Sequence, residues 1–224
     1  MFELVFLGTS ASAPSIHRGL SSTAVLAGDM RFLVDCGEGT QRQILRSGIG
    51  FKRLNNVLIT HSHLDHILGL GGLISTFVRW ENIEEMSIWG GKPALDRIET
   101  LVHGVVLRDE VPPIPLHFNR LSKGSFIDHK DFAVSAFPVS HRGQGCFGFI
   151  FEEQTRRPFL SDKAEALGVP FGPERSRLVR GEAVTLPDGT IVQPEDVLGD
   201  AQPGTKVVFT GDLSRTDNIR DYVQ

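Results

Sequence analysis

Six consecutive residues, His61-Ser62-His63-Leu64-Asp65-His66, put three imidazoles and a carboxylate within one short turn of chain. His61 and His63 are two apart, so in extended chain they point the same way and can share a metal ion. Asp65 and His66 are adjacent and can share a site only where the chain turns. Four potential ligands here, with others further along, exceed what one tetrahedral metal with an open position takes, so the reading is two metals. Imidazole with carboxylate suits zinc first, then manganese or iron. A single structural zinc would favour cysteine, which the hexad lacks.

Two more residues of ligand type stand after strands. His141 follows the alternating run Phe132–Val139, and Asp212 follows Lys206–Thr210, which reads as a buried strand. Each lies next to a glycine-containing turn. Strand ends that face one edge of a sheet converge, so with the hexad both read as ligands. Asp35, in Val34-Asp35-Cys36-Gly37-Glu38-Gly39-Thr40, is a further strand-end carboxylate. Its reading is to orient a ligand histidine, with capping of the helix expected over Glu38–Arg46 as the close rival. His17, His103, His117 and His129 have no metal-ligand spacing.

The elements that must position these groups are legible in outline. Phe2–Leu7 reads as a strand, Ser22–Ala27 and Arg31–Asp35 as a hairpin across Gly28-Asp29, and Glu38–Arg46 as a helix ended by Ser47-Gly48. The apolar run Val57–Thr60 reads as a strand before the hexad, and Ile67 to about Val78 as a packed helix after it. Met86–Trp89 and Cys146–Glu152 read as strands, and Pro93–His103 as a helix with proline in its first turn.

At 224 residues, 40% hydrophobic and 22% charged, the chain has the composition of one globular domain spanning 1–224. A net charge of -4 supplies no global basic field, so any nucleic-acid binding must come from a local patch. Cys36 and Cys146 lie far apart and outside any C-x-x-C, which fits two free buried thiols in a reducing cytoplasm. The N-terminus lacks the features of a signal peptide, and the longest apolar segment is too short to span a bilayer, so no membrane association is expected.

Residues 154–195 differ in character. Prolines and glycines punctuate them, Pro187-Asp188-Gly189 reads as a hairpin turn, and the segment reads as a protrusion, not core. Within 154–181 six basic residues stand against three acidic ones, a net of +3 that suits phosphate contacts. At the end, Ile219, Tyr222 and Val223 have helical spacing. The expectation is that the domain continues beyond Gln224.

With these residues in hand, the chain resembles the metallo-β-lactamase superfamily, whose hallmark is H-x-H-x-D-H on a strand-end loop. Within it the chain is similar to the ribonuclease Z family of endonucleases that mature tRNA 3′ ends. The resemblance rests on Leu7-Gly8-Thr9-Ser10-Ala11-Ser12-Ala13-Pro14-Ser15 with Arg18, on Asp35–Gln41, and on Ala166–Pro173 with Arg180–Gly189. It implies an α/β, αββα sandwich, missing its last strands and helices, with a protruding flexible arm. His61, His63 and His141 would hold one Zn2+, Asp65 and His66 a second, and Asp212 would bridge them, with Mn2+ as the alternative metal. Hydroxide generated by the metals would attack the phosphodiester of precursor tRNA and leave a 3′-hydroxyl, with Asp65 orienting the nucleophile and taking its proton. The arm, with Gly168, Pro170, Gly172, Pro173, Arg175, Arg177 and Arg180, would clamp the tRNA, in a cytoplasmic homodimer. The family's further zinc-binding histidine and its His-Glu-Ala-Thr stretch have no counterpart here, which sets the activity of these 224 residues in question. The rivals are a hydrolase of the same fold acting on a small substrate and an inactive RNA-binding relative.

Overall fold

Short, nearly continuous apolar runs stand between turn residues in the first third of the chain, a pattern that fits strands buried on both faces. In the computed structural model, which describes residues 1–80, 83–108, 110–112 and 114–223, β1 (Phe2–Gly8), β2 (Ser22–Ala27) and β3 (Met30–Val34) form an antiparallel meander. β4 (Asn56–Leu58), β5 (Met86–Gly90) and β6 (Leu116–Arg120) extend the same sheet in parallel. Parallel neighbours need crossovers, and each crossover carries helix. These are α1 (Thr40–Ser47), then α2 (Leu64–Ile67) with α3 (Gly69–Trp80), then α4 (Lys92–Glu99), which runs on as a π-helix over Thr100–Val106.

A second sheet has the order β12-β9-β8-β7, built from β7 (Gly124–Asp128), β8 (Phe132–Pro138), β9 (Phe147–Glu153) and β12 (Lys206–Phe209). The alternation sorts the core into layers. Ala24, Leu33, Val57 and Ile88 face α1, α3 and α4 through Ile44, Leu70, Phe77 and Ile98. Their neighbours Val25, Phe32, Val34 and Leu58 face the second sheet through Phe132, Val134, Phe149 and Phe151. On the far side of that sheet Phe137 and Ile150 pack with Ile219 and Tyr222, at the short helix α8 (Arg220–Val223). The layers are helix, sheet, sheet, helix. One expectation is corrected here: Lys206–Phe209 is an edge strand, half-exposed, and among the described residues it pairs on one side only, with β9.

The chain divides into two compact units, one of residues 1–152 and 205–224 and the other of residues 153–204. The second has its own core: Ala164, Val169, Leu178, Val184, Leu186, Val192 and Val197 are buried, with Phe159 against them. They come from α5 (Ser161–Ala166), α6 (Pro173–Val179), the hairpin β10 (Val184–Thr185) and β11 (Ile191–Val192), and α7 (Pro194–Val197). The segment that read as coreless is a small folded unit. Its apolar residues are too sparse between prolines and glycines to show a period.

Candidate metal centre

The hexad straddles a strand end and a helix start. Helix α2 begins at Leu64, three residues before the sequence pattern places a helix, with His63 as its extended N-cap. Asp65 and His66 therefore lie in the first helical turn, while His61 and His63 remain in extended chain. That change of backbone is what lets four ligand-type side chains of one short segment face a common space.

The distances are short. His61 Nε2 lies 2.9 Å from His63 Nδ1, and His141 Nε2 lies 3.3 Å from the same atom. His66 Nε2 is 3.7 Å from Asp65 Oδ2 and 3.8 Å from Asp212 Oδ1, while Asp212 Oδ2 is 3.8 Å from His141 Nε2. One ligand atom from each of His61, His63, His141 and Asp212 falls within 4.8 Å of the others. A cleft of about 380 Å³ opens over this group, lined by Ser12, His63, Asp65, His141, Arg142, Asp212, Leu213 and Ser214.

One buried carboxylate sets the protons of two of these histidines. Asp35 does not cap α1, whose N-cap is Gly39. It accepts hydrogen bonds from the Thr60 amide at 2.8 Å and the Thr60 hydroxyl at 2.9 Å, and its Oδ2 lies 2.7 Å from His66 Nδ1. A carboxylate only accepts, so His66 carries its proton on Nδ1 and presents a lone pair at Nε2. The Thr60 proton is given to Asp35, so the Thr60 oxygen, 2.9 Å from His61 Nδ1, accepts from that ring and leaves a lone pair on His61 Nε2. The free nitrogen of His61 stands beside His63 Nδ1, and that of His66 beside Asp65 Oδ2 and Asp212 Oδ1. Asp35 holds this position with φ of 59°, in the left-handed region that costs most residues strain but that Asp tolerates.

Asp65 is fixed from the other side. The Ser12 amide donates to Asp65 Oδ2 at 2.7 Å, and Ser12 too is left-handed, with φ of 61°. Gly37 closes the arrangement: a Cβ there would lie 2.4 Å from the Asp65 carbonyl oxygen.

The electrostatics follow from burial and neighbours. Burial, then the nearby His66, push His61 down to about 4. His66 moves the other way: burial opposes its charge, but the Asp35 hydrogen bond and charge, with Asp212 and Asp65, outweigh it and raise the pKa. Burial also opposes the Asp65 charge, but the Ser12 amide and the His66 and His61 rings hold its carboxyl below the usual range. Burial lowers His141. Cys36, fully buried behind His66, is pushed far above the ordinary thiol range and Cys146 is raised, both by burial. Both thiols are free.

The donor set fits metal ions. Nitrogens on a tetrahedral zinc stand about 3.3 Å apart at Zn–N of about 2.0–2.1 Å, and the imidazole nitrogens are 2.9 and 3.3 Å apart. The separations of 3.7–3.8 Å around Asp212 and Asp65 are too long for hydrogen bonds and suit atoms arranged about a common ion.

The arm residues lie in the second unit. Gly168 and Gly172 have φ of 74° and 138°, and Pro173 opens α6; Pro170 sits between them. Arg175 is not a surface cation. Its side chain is 12% exposed, its guanidinium lies 3.6 Å over the Phe171 ring, and Nη2 donates to the Val169 carbonyl at 3.1 Å. Arg177 and Arg180 both pair with Glu182, at 3.1 and 3.2 Å. Glu182 lies one residue beyond the segment whose excess charge the sequence shows, so that excess is smaller in the folded unit.

Fold and site together define a metallo-β-lactamase-fold protein with a histidine-aspartate cluster suited to metal. A protein-family model described as anti-Pycsar protein Apyc1 matches residues 2–165. A ribonuclease Z from Bradyrhizobium diazoefficiens is 47% identical over all of this chain, which covers 74% of that protein. A ribonuclease Z from Natronomonas pharaonis is 41% identical over 96% of the chain and 69% of its own length. Among solved structures, human tRNase Z, short form, is 29% identical with a TM-score of 0.58, covering 69% of this chain and 64% of that one. A metallo-beta-lactamase fold protein from Bacillus subtilis shares the fold, with a TM-score of 0.53 at 17% identity, over 67% of this chain and 58% of that one. The chain belongs to the family that the Apyc1 model describes and, over its whole length, to the ribonuclease Z family.

Proposed function

We propose that this protein is a metal-dependent endoribonuclease that removes the 3′ trailer from precursor tRNA, with two metal ions, zinc or manganese, held by its first unit. The observation that carries this reading is the convergence of His61 Nε2, His63 Nδ1 and His141 Nε2 on one space, in a chain 47% identical to a ribonuclease Z. In this reading His61, His63 and His141 would hold one ion and Asp65 and His66 the other, with Asp212, whose oxygens lie 3.8 Å from His66 Nε2 and from His141 Nε2, as a ligand to both. When bound, the metals would supply an activated water and positive charge for the phosphoryl oxygens.

The protein's own residues do the rest. Asp35 fixes the His66 tautomer and, through Thr60, that of His61, so in the neutral rings the ligand lone pairs stand on Nε2. Ser12 holds one oxygen of Asp65 and keeps the carboxylate ionised, so that it can orient the attacking water and accept its proton. The second unit serves as the tRNA clamp, with Arg177 and Arg180 exchanging Glu182 for phosphate. A homodimeric state and a cytoplasmic setting belong to the same reading and rest on the family resemblance.

A hydrolase of the same fold acting on a small substrate is the alternative. The Apyc1 match stops at residue 165, whereas the ribonuclease Z match runs across the second unit, which favours the RNA substrate. The test is incubation of the zinc-loaded protein with precursor tRNA bearing a 3′ trailer, with the product ends sequenced. Cleavage at the trailer junction leaving a 3′-hydroxyl supports the reading. Hydrolysis of bis(p-nitrophenyl) phosphate with no cleavage or binding of the precursor overturns it.

A further inference from the structure

The loop between β1 and β2 touches the metal centre through Ser12 and then continues into a second cavity. That cavity, about 200 Å³, lies between residues 14–19 and the start of α1, and Arg18, Arg42, Arg46, His17 and Glu38 line it. The loop is closed at its base, where the Ser10 amide donates to the Gly19 carbonyl at 2.9 Å and the Ser15 amide to the Arg18 carbonyl at 2.9 Å. Gly8 permits this closure, because a Cβ there would overlap the Leu20 carbonyl. The cavity is a defined feature of the first unit.

Its charge is unbalanced. Arg42 and Arg46 stand one turn apart on α1, a like-charge spacing that weakens a helix. Among the described residues their guanidiniums and that of Arg18 have no hydrogen bond or ion pair, and all three side chains are exposed. Helix α1 has no acidic residue in its first turn and no side chain capping its N-terminus. Glu38 is the carboxylate present. Arg46 gains from its place in the last turn of α1, but Arg18 and Arg42 have no such return, in a chain whose net charge is -4. Three unpaired guanidiniums around one concavity suit phosphate oxygens, which Arg contacts in bidentate fashion.

Both walls lead to the metal centre. Ser12, which holds Asp65, is two residues from Pro14 in one wall, and Gly37, packed on the Asp65 carbonyl, is one residue from Glu38 in the other. Two residues of chain span at most about 7 Å. The metal centre and the arginine-lined cavity thus share the β1–β2 loop and the Gly37–Glu38 segment.

We propose that Arg18, Arg42 and Arg46 form a backbone-phosphate subsite for the RNA strand entering the metal centre, set on the first unit and distinct from the second unit's clamp. The proposal rests on the ribonuclease reading for the identity of its ligand. A strand-tracking cationic site of this kind adds affinity without base preference and steepens salt dependence.

The test compares the parent, Arg42→Glu/Arg46→Glu and, as a control for net charge, Lys52→Glu/Lys130→Glu. Fluorescence anisotropy reads binding of precursor tRNA and of a short single-stranded RNA across a salt series, and bis(p-nitrophenyl) phosphate hydrolysis reads the metal centre. The arginine variant should bind both RNAs about tenfold or more weakly at low salt, with a slope shallower by about 0.7 for each phosphate that is no longer neutralised. Its hydrolysis of the small diester should match the parent. Affinity and slope equal to those of the lysine control overturn the proposal. Should the parent bind single-stranded RNA but not precursor tRNA, with the former lost in the arginine variant, the subsite stands and the tRNA reading falls. Should it bind neither, both fall.

Discussion

Replacing Asp35 with asparagine isolates the part of the site that orders the ligands. Asp35 is 2% exposed and accepts from three donors: the Thr60 amide, the Thr60 hydroxyl and His66 Nδ1. Asn adopts the left-handed backbone as readily as Asp, so φ of 59° is kept. Asn also keeps one carbonyl oxygen, enough for the Thr60 amide. Its NH2 then points at His66 Nδ1–H, donor against donor. Losing a charge-assisted hydrogen bond costs about 1.5–3 kcal/mol and orphaning a buried donor about 1–3 kcal/mol. Removing a buried charge, and a flip of the His66 tautomer, return part of that, so about 3 kcal/mol of net destabilisation is expected. The flip is the informative event, because it places a proton on Nε2, the atom that faces Asp65 and Asp212. Metal affinity on that side should fall about 10–100-fold, the usual effect of removing such a partner. Urea unfolding in chelator reads the first quantity, and competition with a chromophoric chelator reads the second. A D35N protein that keeps parental affinity for every metal equivalent would refute the derivation of the tautomers.

Ser12 offers a sharper contrast, because only its amide is used. Ser12→Gly keeps the N–H and tolerates φ of 61°, whereas Ser12→Pro removes the donor and cannot adopt that φ; small-diester turnover should be nearly parental in the first and fall by about 100-fold in the second, on the scale of losing one preorganised donor. On acidification the two sides should empty in order. His66, with its raised pKa, protonates first and releases its metal, while His61, pushed down to about 4, stays a neutral ligand to lower pH, so zinc content followed from pH 7 to 4 should show two steps; a single step contradicts the assigned shifts. In the metal-free protein the sign is set by the same groups. Below about 6.5 the unfolded state binds a proton that folded His61 refuses, so His61 makes stability fall as pH drops towards 4, by about 3 kcal/mol at most; the raised His66 acts above about 6.5 instead, and because its charge helps push His61 down, His66→Gln should make the fall shallower. Leu178→Ala, at a fully buried position of the second unit, should cost that unit about 2–5 kcal/mol, seen as faster amide exchange confined to residues 153–204, with metal binding unchanged.

How much was legible differs by residue. The hexad, His141 and Asp212 stand out because ligand chemistry is written in side-chain type, and the strand ends follow from short apolar runs and, before His141, from alternation. Ser12 was invisible, because its contribution is a backbone amide that residue type does not mark. Thr60 read only as the end of a strand, though its hydroxyl relays Asp35 to His61. Asp35 reads as orienting a ligand histidine, with capping as the rival because a carboxylate before a helix looks alike in either role, and the position of Gly39 as N-cap separates them. Helix α2 was placed late because Leu64-Asp65-His66 is too short to show a period of 3.6. In the second unit the arginines were counted as surface charge. Charge counts do not see that Arg175 stacks on Phe171 or that Glu182 lies within reach of Arg177 and Arg180.

The central claim is that His61, His63 and His141 form a metal site through particular nitrogens. A zinc-soaked crystal measured at the zinc absorption edge tests it directly. The account predicts an anomalous peak about 2.0–2.1 Å from His61 Nε2, His63 Nδ1 and His141 Nε2, with an Asp212 oxygen beside it and His61 Nδ1 still against Thr60. No peak at that position, or an ion bound through His61 Nδ1, would contradict it.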